Sequence, residues 1–378
     1  AAVDSGPFGG SPERMLAPPP LPRTLEACFR DVASQRPEVR AEACEELGRH
    51  LAAMDEGAER GGSPERGERA ERGDRHDERD GRPYARGVEA LAHALRDDHP
   101  GVRGRAATAL ADARATTALA SLLVAVEDPD GYVRQMALSA LGELGDPRAG
   151  SKLRRALTDS RPEVRYQAVI AFSRVCPDDA EEALVRAFAD DDDAVRHIAL
   201  RVVEERLEKT PPAARGPGSR AGEAAVRLLG DAHPDVRVAA AILVARLGDP
   251  RGHPRLLEVA RGGVRGVSTE EEHGALEACG ELGLTAAIPA LERRAYGLAR
   301  LVSDTGALSA KVALAALGHE RAVSELLGDL SSSKASRRDK AIMAAGRARL
   351  RAAIPALEAL AERDATRTLA REALERLR

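Results

Sequence analysis

The sequence predicts an all-α fold, an α-solenoid of about ten stacked helical hairpins, and three observations predict it. One pattern recurs at a step of 31 residues: Leu91, Leu122, Leu153 and Leu184, then Asp97, Asp128, Asp159 and Asp190, then Arg103, Arg134, Arg165 and Arg196. Repetition at this length marks an array of small supersecondary units. Around each arginine the runs GVRGRAATAL, YVRQMALSAL, EVRYQAVIAF and AVRHIALRVV place apolar residues at helical spacing. Composition agrees, with 43% hydrophobic residues but only 2% aromatic and no Trp. Ala, Leu and Val suit closely packed helices better than one large core.

Residues 1–20 are rich in Gly and Pro and are expected to be disordered. Residues 21–54 read as a divergent first repeat, with Leu25 and Phe29 on its first helix and Pro37-Glu38-Val39-Arg40 opening the second. The stretch 55–87 mixes acid and base, is broken by Gly and has almost nothing apolar to bury. It is expected to be a charged, flexible insertion.

The regular array occupies 88–378. Each unit has a first helix, a turn (DDHPG, EDPDG, DSRPE, DDDDA) and a second helix. Pro and Gly end one helix in these turns, and Asp or Ser caps the next. In the second helices, Val precedes the arginine and Ala follows three later, at Ala106, Ala137, Ala168, Ala199 and Ala240. Positions six and seven after the arginine are apolar too, as is position ten except at Arg206, and all share one face. The fixed Ala implies that a neighbouring helix passes too close for a larger side chain. A lone hairpin has no way to bury such faces, whereas a row of hairpins does. Residues 207–223 lengthen the step and read as a loop. Beyond Arg237 the arginine slot drifts to Glu272, Ala307 and Arg338, while Leu256, Leu291, Leu326 and Leu357 continue the first-helix mark.

A helical pair of about this length, with Pro or Asp at the turn, Val-Arg next, and an Asp six residues before the Arg, resembles the HEAT repeat. More narrowly it is similar to the short bacterial variety found in phycobilisome lyases. The resemblance covers 88–378 and, in part, 21–53. It implies that the pairs Asp97/Arg103, Asp128/Arg134, Asp159/Arg165, Asp190/Arg196 and Asp231/Arg237 form a structural ladder inside the array. It also implies that the second helices line the concave side. The units at 272 and 307 lack the arginine and depart from this pattern.

Nothing in the sequence assigns a catalytic residue, a metal site or a cofactor. His319-Glu320 is a single match to the His-Glu pairs of di-iron HEAT-like hydroxylases, and an iron site needs several converging ligands. Cys28, Cys44, Cys176 and Cys279 show no metal-binding spacing and read as small buried thiols. A net charge of −4 argues against a nucleic-acid partner. No run approaches the roughly 18 apolar residues of a membrane span, and a cytoplasmic location is expected. One and five residues after the arginines, Gln135, Ser139, Tyr166, Ile170, His197, Arg201, Val238 and Ile242 fall opposite the buried stripe. These are the candidate partner-binding residues, since apolar groups on a polar face mark a binding surface. The expected function is a non-catalytic scaffold or adaptor for another protein or peptide. The alternatives are a lyase-type or accessory protein acting on a covalently attached cofactor and, less favoured, a nucleic-acid binder.

Overall fold

The computed structural model describes residues 23–60, 77–209, 219–297 and 306–377. Among them are 20 α-helices and no strand. The chain packs as two units that divide after Ala125. The first holds α1 (Leu25–Asp31), α2 (Pro37–Arg60), α3 (Asp77–Ala94), α4 (Pro100–Asp112) and α5 (Leu119–Ala125). The second begins with α6 (Gly131–Leu144), α7 (Gly150–Ala156), α8 (Pro162–Val175), α9 (Ala180–Ala187) and α10 (Asp193–Glu208). It continues through α11 (Arg220–Arg227), α12 (Pro234–Arg246), α13 (His253–Ala260), α14 (Thr269–Glu281) and α15 (Ile288–Tyr296). It closes with α16 (Ala307–Ala316), α17 (Glu320–Leu330), α18 (Ala335–Arg347), α19 (Ile354–Ala361) and α20 (Arg367–Leu377). In chain order these alternate as first and second members of helical pairs.

The turn residues explain the boundaries. The Asp130 carboxylate accepts from the Tyr132 and Val133 N–H groups, and Asp192 does the same for Ala194 and Val195. These donors have no partner within the helix. α6 stops where Gly145 takes φ 68°, a left-handed conformation that glycine adopts without a Cβ clash.

Val102, Val133, Val164, Val195 and Val236 and the five alanines three residues after the arginines are all buried. So are the first-helix leucines Leu122, Leu153, Leu184, Leu256, Leu291, Leu326 and Leu357. Small residues let successive second helices touch. A Cβ added at Gly142 would come within 2.9 Å of the Ala171 side chain, and one at Gly280 within 2.5 Å of Ala313 Cα. In the first unit, Gly48 sets α2 against Ala109 of α4 in the same way, at 2.8 Å.

The charged stretch differs from the sequence expectation at both ends. α2 continues through Arg60 and α3 begins at Asp77, so 55–60 and 77–87 are helical rather than irregular. Both helices carry through residues that often end a helix, Gly57 in α2 and Gly81 and Pro83 in α3. Residues 61–76 and 1–20 lie outside the described residues. In the segment 207–223, α10 runs through Glu208 and α11 starts at Arg220, which leaves a shorter connection than expected. No described helix is long and apolar enough to cross a membrane.

Candidate functional site

Two edges of the second helices carry the polar chemistry. On the turn edge of the second unit, the Arg134 guanidinium donates from Nε and Nη2 to both oxygens of Asp159, at 2.9 and 2.8 Å. Its Nη1 donates to the Asp128 carbonyl at 2.9 Å. Arg165 repeats this with Asp190 at 2.7 and 2.6 Å, and Arg196 with Asp231 at 2.7 and 2.8 Å. Each arginine therefore ties its own turn to the next one, and the fork geometry of guanidinium on carboxylate is the strong kind of ion pair. In the first unit Arg40 makes the same contact with Asp97, at 2.7 Å twice. Arg103 donates to the Asp97 carbonyl at 2.8 Å. The Asp128 carboxylate accepts from the Asp130 N–H.

Burial pushes Asp159, Asp190 and Asp231 up, but the paired guanidinium and a turn N–H more than reverse it. All three lie below the ordinary carboxylate range. Arg237 donates to the carbonyls of Asp231 and Ala232, yet the next turn, RGGVRGVS, offers it no Asp. There the arrangement is inverted. Arg294 of α15 pairs with Glu272 at 2.8 Å and donates to the Val259 and Ala260 carbonyls. A first-helix arginine thus serves the unit whose second helix lacks one.

The groove edge is an ion-pair network. Arg246 of α12 bridges Glu204 of α10 and Glu281 of α14, the latter at 2.8 Å. Arg201 donates to Glu204 at 2.6 Å and to Glu270 at 3.3 Å. His197 Nε2 lies 2.8 Å from Oε1 of Glu271, a carboxylate only 1% exposed, whose Oε2 is buried without a partner. The Glu271 contact raises the His197 pKa, against the opposing effect of burial. Glu277 of α14 takes the guanidinium of Arg347 of α18 in a forked contact.

These contacts place the predicted partner-binding residues. Tyr166 and Ile170 are half-buried on the core formed by α9, α10, α11 and α12. Ile170 lines a cavity of about 450 Å³ together with Ile198, Val202, Arg174, Arg201 and Glu205. Gln135 and Ser139 are half-buried, and Ser139 reaches Glu143 at 3.5 Å. His197 and Arg201 are engaged in the network above. Val238 and Ile242 correct the expectation: they are 0% and 1% exposed and belong to a core shared with α14 and α16. Helical phase puts them opposite the regular stripe, but α14 covers that side of α12, with Gly274 against Ile242 Cδ1.

Arg246, Glu281 and Arg347 are not among the candidate residues read from the repeat pattern. The signal that finds them lies nine residues after the arginine slot, where successive second helices carry Glu143, Arg174, Glu205, Arg246, Glu281, Ala316, Arg347 and Arg376. The sign alternates through Glu281. His319, the one candidate for a His-Glu metal pair, contacts Glu292 at 2.9 Å instead of serving with Glu320.

Comparison with known proteins agrees with this architecture. Residues 88–172 match the family described as HEAT repeats. Among solved structures, the chain is similar to YibA of Escherichia coli, at 17% identity and a TM-score of 0.50, covering 78% of this chain and 92% of that one. It is also similar to the complex of CpcE and CpcF of phycocyanin lyase from Nostoc, at 17% identity and a TM-score of 0.40, covering 84% and 100%. Importin beta matches at 13% identity and a TM-score of 0.44, over 93% of this chain and 51% of that chain. No curated protein matches the sequence. At such identities the likeness is one of fold: the protein is an α-solenoid, and its residues 88–172 match HEAT repeats.

Proposed function

We propose that the protein is a non-catalytic scaffold or adaptor that holds a peptide or helix of another protein against its second helices. The observation that carries this reading is the open cavity of about 450 Å³ beside α8 and α10. There Ile170, Ile198 and Val202 offer apolar surface, and Arg174, Arg201 and Glu205 surround it with both signs of charge. An amphipathic segment fits such a groove, its apolar side on the isoleucines and its polar side toward the rim. Tyr166, Gln135, Ser139 and His197 extend the same edge of α6, α8 and α10. Val238 and Ile242 drop out because they are buried.

The test is affinity capture by the full chain, comparing the wild type with Tyr166→Ala combined with Ile170→Asp. The double variant is expected to lose the captured protein while its helical circular dichroism stays that of the wild type. Capture retained at the wild-type level with the fold intact overturns the placement. An Arg186→Ala control, altering an exposed helix-surface pair, is expected to capture normally.

A further inference from the structure

We infer that the far end of the groove, between Arg347, Arg349 and Arg376, binds a dianionic oxyanion of the phosphate-monoester class. This goes beyond the adaptor reading and does not depend on it, since none of the three arginines lines the cavity at Ile170.

Close packing brings the three together. A Cβ at Gly346 would come within 2.9 Å of Ala373 Cα, so α20 lies against α18 with almost no gap. Arg376, about one turn beyond Ala373, then lines the same cavity of about 590 Å³ as Arg347 and Arg349. Arg349 enters it from an unusual backbone. Eleven residues after the arginine slot, Gly145, Gly248, Gly283 and Gly318 all have φ between 68° and 85°. Arg349 holds that slot at φ 48°, as Arg114 does in the first unit. A side-chain-bearing residue at positive φ is disfavoured, and such positions concentrate where a side chain is needed at a site.

The charges at this end do not close on themselves. From Glu143 to Glu281 acid and base alternate, and the last two of that series, Arg246 and Glu281, pair. Here Ala316 stands where the alternation would place the next charge, and two arginines follow. Glu277 takes Arg347, and Glu281, which lines the same cavity, is engaged by Arg246. Among the described residues, Arg349 and Arg376 have no ion-pair partner. Four arginines and three glutamates (Glu204, Glu277 and Glu281) line the cavity, so one positive charge is left over, and the two arginines without a carboxylate both stand at this end. Burial and the like charge of Arg376 hold the Arg347 guanidinium below the usual arginine range, despite Glu277 across from it. A doubly charged oxyanion relieves that repulsion and takes forked hydrogen bonds from the planar guanidiniums.

Calorimetric titration of the full chain with inorganic phosphate, against sodium acetate and sodium chloride at matched ionic strength, tests the site. Phosphate is expected to bind saturably and to raise the thermal unfolding midpoint, with acetate and chloride doing neither. Arg376→Ala is expected to weaken phosphate binding about tenfold. Arg349→Gly relieves the positive φ, so it is expected to unfold at a higher temperature and yet bind phosphate about tenfold more weakly. Glu277→Gln, which removes the competing carboxylate, is expected to tighten binding. The inference is overturned if phosphate shows no saturable binding, if acetate binds as well, or if Arg349→Gly and Arg376→Ala bind phosphate like the wild type.

Discussion

Along the turn edge, Arg134, Arg165 and Arg196 each reach the carboxylate of the very next turn. Along the groove edge, His197 of α10 reaches Glu271 of α14, and Glu277 of α14 reaches Arg347 of α18. Each of those contacts passes over an intervening second helix, α12 or α16. The turn edge therefore behaves as a repeat array should, with each unit coupled to its immediate neighbour. The groove edge adds coupling between units two apart. The two edges also differ in chemistry: the turn arginines are shielded and tied to backbone carbonyls, whereas the groove arginines are more open to solvent.

That contrast ranks the expected effects of mutation. Arg165→Ala leaves the shielded Asp190 carboxylate unpaired and two turn carbonyls without their donor, and is expected to cost about 3 kcal/mol in denaturant unfolding. An unchanged midpoint would show that the turn edge does not hold the stack. Gly280→Ala sets a methyl group against the α16 backbone and is expected to cost about 2 kcal/mol while forcing α14 and α16 apart. If thermal unfolding is unaltered, the close approach of those helices is not a packing limit.

On the groove edge the effects are smaller and depend on pH. The folded-state pKa of His197 is raised above its unfolded value, which is about 6.5. The pairing with Glu271 therefore stabilises fully below that value and is lost as pH rises through the folded pKa. His197→Gln is expected to be about 1 kcal/mol less stable than the wild type on the acid side of 6.5, with the gap closing at alkaline pH. A gap that widens toward alkaline pH contradicts the pairing. The smallest effect belongs to Arg186→Ala, since Arg186 and Glu182 are 73% and 53% exposed, and less than about 0.5 kcal/mol is expected. A larger loss would erase the distinction between shielded and open pairs.

The repeat was legible because packing imposes size and sign at fixed steps. Ala106, Ala137, Ala168, Ala199 and Ala240 sit where helices touch, and the six-residue spacing from Asp to Arg is what one turn of backbone between them requires. The groove was less legible. Ile242 has the phase of an outward residue, and only the position of α14 shows that it is covered. That position depends on a turn where the pattern had already drifted, with Glu272 in the arginine slot and its cation supplied from α15. Likewise Glu271 and Glu277 meet partners about 70 residues away, beyond the reach of any single repeat. The alternating charges nine residues after the slot were present in the text, but their meaning required the helices to be set side by side.

The skipping contacts bear on how the second unit responds to force. Pulled along its length, the stretch from α6 to α9 is free to lengthen one hairpin at a time, like links of a chain. From α10 to α18 the links are laced to the one after next, so stretching that part first requires the laces to snap, and it resists extension as a single stiff segment.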